Sequence, residues 1–80
     1  NLVRAGRFIE AERHLRQEVM LQPRSSQACR NLGVVLGGIG RWMEAVRLLR
    51  RAARLDPADA SIASDLGQAL LRLGDRAGAM

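Results

Sequence analysis

The sequence predicts an all-α chain of antiparallel helical hairpins stacked as an α-solenoid, on three observations. The first is self-similarity. A shift of 34 residues aligns Gly6-Arg7-Phe8-Ile9-Glu10-Ala11 with Gly40-Arg41-Trp42-Met43-Glu44-Ala45, and Arg13, Leu15, Arg16 and Pro23 with Arg47, Leu49, Arg50 and Pro57. The same shift carries Leu32-Gly33 onto Leu66-Gly67, Leu36 onto Leu70, Gly40 onto Gly74 and Ala45 onto Ala79. A fixed period of this kind marks units that bury their apolar faces only by stacking on their neighbours. The second observation is that apolar residues recur at helical spacing in two separate stretches of one period. The third is the punctuation: a glycine divides the two stretches, and Asp-Pro closes the second.

Taken in order, residues 1–25 read as the last part of a first repeat, and Gly6 to Ser25 is expected to superpose on Gly40 to Asp59. Residues 26–59 form the complete repeat. Ser25 or Ser26 can cap its first helix, because a short hydroxyl accepts from the orphan amides of a first turn. From Gln27 to Ile39 the stripe is Ala28, Leu32, Val35, Leu36 and Ile39. Gly40 then ends the helix, since glycine tolerates the left-handed geometry of a helix stop. From Trp42 to Leu55 the second stripe is Trp42, Ala45, Val46, Leu49, Ala52 and Ala53, and Pro57 stops it. Gly33 and Ala45 let the two helices of this hairpin approach closely, and Ala52 does so for the next hairpin. Residues 60–80 are over half of a third repeat, capped by Asp59. Its first helix carries Ile62, Leu66, Ala69, Leu70 and Leu73, and Gly74 to Ala79 restarts the second-helix motif with Arg76 where an aromatic is expected. Gly37 and Gly38 weaken the end of a helix by about 1 kcal/mol each. They read first as a frayed end, and only second as a point of close backbone approach.

Cys29, Leu32, Gly33, Leu36, Ala45, Leu49 and Pro57 together resemble the signature of the tetratricopeptide-repeat family. Cys29 stands at its tryptophan, and Leu36 and Leu49 at its aromatics. The resemblance covers essentially the whole of residues 1–80, as one array. It implies a superhelix whose first helices line a concave groove that holds a peptide or protein segment, without catalysis. On the first helix of the complete repeat, the residues opposite the core stripe are Gln27, Arg30, Asn31, Val34 and Gly38. On the next they are Ser61, Ser64, Asp65, Gln68 and Arg72, and the first fragment contributes Arg4. The binding candidates are accordingly Gln27, Arg30, Asn31, Val34, Ser64, Asp65, Gln68 and Arg72. Asn31 stands where groove-binding relatives keep an asparagine that holds peptide backbone. Ser61 and Asp65 stand where relatives that clamp an acidic carboxy-terminus place cations, which argues against that type of ligand.

Composition narrows the remaining classes. Eighty residues suffice for one small domain, and at about this size only some 60% of the unfolded surface is buried. The net charge of +5 permits an acidic partner without requiring one. Arg47, Arg50, Arg51 and Arg54, joined by Arg13 and Arg16, share the convex back. Phe8 and Trp42 are the only aromatics, too few to stack successive bases, so nucleic acid is disfavoured and the arginines read as a solvated face. The longest apolar run, Leu32 to Ile39, is too short to insert in a membrane. One histidine and one cysteine make no metal site or nucleophile motif, so no metal and no cofactor is expected. His14, four residues after Glu10, reads as a surface pair. Cys29 excludes an internal disulfide and suits a reducing compartment, the cytoplasm first. Asn1 opens the chain without a leader, so the sequence reads as part of a longer array. Two further readings stand beside the peptide-binding one: the recognition arm of a larger enzyme such as a glycosyltransferase, and a self-association scaffold whose copies pair through the truncated repeat ends.

Overall fold

In the computed structural model the described backbone runs from Leu2 to Gly78, with side chains from Arg7 to Asp75. It forms four helices: α1 (Leu2–Leu21), α2 (Ser26–Ile39), α3 (Trp42–Leu55) and α4 (Ala60–Gly78). There is no strand among the described residues. Each helix packs on the next, and α2 also touches α4, so the first helices of successive hairpins sit side by side.

The period is visible in the hydrogen bonds of the two long turns. Gln22 N–H donates to the Glu18 carbonyl at 2.8 Å, and 34 residues on Asp56 donates to Ala52 at 2.9 Å. Ser25 donates to Gln22 at 3.0 Å and Asp59 to Asp56 at 3.3 Å; Cys29 donates to Ser25 at 3.1 Å and Ala63 to Asp59 at 3.3 Å. The caps follow the same spacing. Ser25 Oγ accepts from Ala28 N–H at 3.2 Å, and Asp59 Oδ1 accepts from Ser61 N–H at 2.9 Å. These acceptors satisfy donors that a helix start otherwise leaves orphaned.

The turn between α2 and α3 is made by Gly40, whose φ of 93° only glycine adopts without strain. Its N–H donates to Gly37 at 3.0 Å, while Arg41 N–H reaches back to Leu36 at 2.9 Å, the paired bonds of a Schellman stop. The helix does not fray before it. Gly37 and Gly38 are places of close approach: a Cβ at Gly37 would lie 2.6 Å from Trp42 Cζ3, and one at Gly38 would lie 3.0 Å from Phe8 Cε1.

Two departures from the repeat are clear. α1 is helical through Gly6, and α4 is helical through Gly74, whereas the aligned Gly40 makes a turn. A left-handed glycine is held in place only when the next element packs back. At Gly40 the Trp42 ring does so against Gly37. The residue aligned with Trp42 beyond Gly74 is Arg76, which offers no ring, and the helix runs on to Gly78.

The core lies where α2, α3 and α4 meet. Leu32, Leu36, Ala45, Val46, Leu49 and Ala69 form one buried cluster, and Cys29, Ala52 and Ile62 a second. Gly33 seats Leu49, whose Cγ would lie 2.7 Å from a Cβ built there. Ala52 and Ile62 join α3 to α4, the contact expected of Ala52. Complete burial of a leucine or isoleucine side chain contributes about 1.5–3 kcal/mol, so Leu36, Leu49 and Ile62 dominate this small core.

Candidate functional site

Packing of α2 and α4 on α3 leaves one side of each first helix free of the core. Arg30 and Asp65 connect the two across this surface, with Arg30 Nε donating to Asp65 Oδ2 at 2.7 Å. The bond pairs the two charges and bridges α2 to α4. One turn earlier, Gln27 Nε2 donates to Asn31 Oδ1 at 3.0 Å. That leaves the Asn31 amide hydrogens and the Gln27 carbonyl oriented for another partner. Val34 is 48% exposed beside them, an apolar residue among amides.

Three hollows border these side chains. One of about 280 Å³ is lined by Glu18, Leu21, Gln22 and Ser25, together with Gln27 and Asn31. One of about 330 Å³ lies between α1 and α2, against Leu15, Arg30, Asn31, Val34 and Val35. The third, of about 180 Å³, is lined by Val34, Asp65 and Gln68 together with Trp42 and Leu49. Gln27, Arg30, Asn31, Val34, Asp65 and Gln68 thus border one connected surface. Ser64 and Arg72 are exposed on α4 but line none of the three hollows.

Some features were not anticipated. Arg30 is not a free cation, because its partner sits 35 residues away on another helix. Gly38 is occupied by its approach to Phe8 and so serves the α1–α2 contact instead of the groove wall. The α1 residues Leu15, Glu18 and Leu21 were missed, although Leu15 aligns with the core residue Leu49 and Leu21 with Leu55. Arg4 lies outside the residues whose side chains are described.

The convex side is only partly the solvated arginine face expected. Arg16 donates to Glu12 at 2.7 Å and to Glu44 at 2.8 Å, and Arg41 contacts Glu12 at 3.3 Å, which ties α1 to α3. The hydrogen bond from Arg16 holds the Glu44 carboxyl below its usual range. Arg51 donates to the Pro23 carbonyl at 3.0 Å and braces the first long turn. Arg13, Arg47, Arg50 and Arg54 are exposed. Cys29 is fully buried, and burial pushes its thiol up against the opposing field of Arg51. His14 and Glu10 are both exposed. Among the described residues, no group of three or more histidine, cysteine or carboxylate side chains is placed to hold a metal, and no helix is long and apolar enough to cross a membrane.

Comparison with known families agrees with this geometry. A tetratricopeptide-repeat model matches residues 33–80, and a second tetratricopeptide-repeat model matches residues 1–17. The chain belongs to the tetratricopeptide-repeat family. Among curated proteins, none matches it. Tetratricopeptide repeats mediate protein–protein interactions, and that general role is the one assigned to this array.

Proposed function

We propose that this array binds an extended peptide or protein segment along the surface shared by α2 and α4, contacting Gln27, Arg30, Asn31, Val34, Ser64, Asp65, Gln68 and Arg72. The observation that carries the reading is the Gln27–Asn31 amide pair beside exposed Val34, with unfilled hollows on either side. An amide that has spent one acceptor on its neighbour still donates two hydrogens, which suits a peptide carbonyl. A half-exposed valine over a hollow suits an aliphatic side chain, whose burial stabilises the complex by about 25 cal/mol per Å² of apolar area.

The Arg30–Asp65 bond bears on what kind of segment fits. A carboxylate clamp needs a cation free to receive an anion, and Arg30 is already paired within the protein. This pairing favours a ligand that is uncharged at this point over an acidic tail held by its carboxy-terminus. Panning a random peptide library on the wild-type chain, with the double variant Asn31→Ala, Arg30→Ala as the counter-selection, tests the reading. The expected enrichment is for sequences with an aliphatic residue and no acidic cluster, lost on the double variant. Enrichment of acidic sequences, equal capture by both proteins, or no enrichment at all rejects it.

A further inference from the structure

α3 holds four arginines, Arg47, Arg50, Arg51 and Arg54, against a single carboxylate, Glu44. That carboxylate is already taken, because Arg16 donates to it at 2.8 Å. Arg51 donates to the Pro23 carbonyl at 3.0 Å, a neutral acceptor that leaves the arginine charge uncompensated. Among the described residues, Arg47, Arg50 and Arg54 form no ion pair. Nor does Arg13, which occupies the position of Arg47 one period earlier.

Helical geometry gathers these cations on one line. At about 100° per residue, Met43, Arg47, Arg50 and Arg54 fall within an arc of about 60° of the helix surface. All four are exposed, Met43 at 68%. The opposite arc, with Ala45, Leu49 and Ala52, is buried in the core. α2 and α4 both pack on α3, so the arginine face is open with its sequence neighbours in place. At a rise of 1.5 Å per residue the row from Arg47 to Arg54 is about 10 Å long. Like charges three and four residues apart repel, so the row destabilises α3, and anions lying along it relieve the strain.

We propose that the outward face of α3, flanked by Arg13, docks an acidic helix of a protein partner. The carboxylates of that helix stand at i, i+3 or i+4, and i+7, with an aliphatic residue at the end that meets Met43. Charge and spacing together support the assignment. Glutamates at those intervals repeat the arginine row along their own helix axis, and each guanidinium fork takes a carboxylate through two parallel hydrogen bonds. Met43 adds an adaptable apolar contact one turn before the row. Two other polyanions fit less well. A helix that binds a bilayer buries an apolar face in it, and the apolar face of α3 lies in the core. Single-stranded nucleic acid needs rings to stack on, and the Trp42 ring lies against Gly37. The face shares no residue with the α2–α4 groove, so either reading can fail without the other.

The experiment is fluorescence anisotropy with two labelled, alanine-based helical peptides of identical composition, titrated with the full chain. In one peptide three glutamates and a leucine form a single stripe; in the other they are spread around the helix. The striped peptide is expected to bind about tenfold more tightly than the spread one, and less tightly as salt is added. Replacing the row by Arg47→Gln, Arg50→Gln and Arg54→Gln together should weaken the striped peptide about tenfold. Glutamine matches arginine in helix preference, so circular dichroism of this variant should match wild type. The groove variant Asn31→Ala, Arg30→Ala should bind the striped peptide as wild type does, and phosphatidylserine vesicles should retain little of the chain. No binding, equal binding of the two peptides, or unchanged affinity in the folded glutamine variant overturns the proposal. So does loss of binding in the groove variant, or full capture of the chain by the vesicles.

Discussion

Replacing one glycine by alanine should have opposite effects at two positions a single period apart. At Gly33 a new Cβ would stand 2.7 Å from Leu49 Cγ, 3.1 Å from its Cδ2 and 3.3 Å from the Ala45 carbonyl oxygen. Leu49 cannot swing away, because it is 2% exposed and enclosed by Leu32, Leu36 and Val46. Overpacking of this kind costs about 1–3 kcal/mol. Against it stands the helix propensity gained on replacing glycine, about 1 kcal/mol. At Gly67 the same gain comes without the clash. The propensity term therefore cancels between the two variants, and their difference, about 1–3 kcal/mol, isolates the contact with Leu49. With each kcal/mol moving the melting temperature of so small a domain by about 4–8 °C, Gly67→Ala should melt at least several degrees above Gly33→Ala. Circular dichroism melts at one low protein concentration provide the comparison, so that association does not enter. Equal melting temperatures, or a Gly33→Ala protein more stable than Gly67→Ala, would refute the close hairpin packing.

Other consequences are direct. Leu49→Ala should cost about 2–5 kcal/mol, since it empties the centre of the larger cluster, and chemical denaturation reads the loss as a lower midpoint at unchanged slope. The Cys29 thiol, buried and with its ionisation held up, should react with a thiol reagent at the rate of unfolding and not at the rate of a free cysteine. Fast labelling in native buffer would mean that α2 opens locally. The Glu44 carboxyl is lowered in the folded state, so its pairing with Arg16 contributes above the unfolded carboxylate value and is lost as pH falls through the folded one. An exposed pair of this kind is worth only about 0.2–1 kcal/mol. Glu44→Gln should therefore melt slightly below wild type near neutral pH, and the gap should close as the pH falls through the range of the folded carboxyl. A gap that persists in acid would show that the side chain acts through packing.

The period, the helix bounds around Gly40 and Pro57 and the core stripe could be read from the sequence because each rests on local chemistry. Gly40 needs a left-handed φ, Pro57 lacks a donor, and Leu32, Leu36 and Leu49 recur at helical spacing. What could not be read depends on partners distant in the chain. The sequence showed Arg76 where an aromatic is expected, but not that the helix would run on through Gly74, because the turn at Gly40 goes with a ring packed against Gly37 that only the fold reveals. The roles of Gly37 and Gly38 became clear only when Trp42 and Phe8 were seen against them. On the surface the helical wheel of α2 and α4 identified the free sides, since that is geometry within one helix. It could not foresee that Arg30 would be paired with Asp65, or that Leu15, Glu18 and Leu21 would border the hollows from α1. Arg16 was grouped with the solvated arginines for the same reason, and its two carboxylate partners come from a neighbouring turn and from the next repeat.

The central claim, that recognition takes place on the surface shared by α2 and α4, is tested most directly by amide NMR spectra recorded while a library-selected peptide is titrated into the chain. The account predicts shifts at Gln27, Asn31, Val34 and Gln68 that saturate together, with little change along α3 and only weak dependence on salt. Shifts confined to Arg47, Arg50 and Arg54, weakening steeply as salt is added, would contradict it and move the binding surface to the convex back.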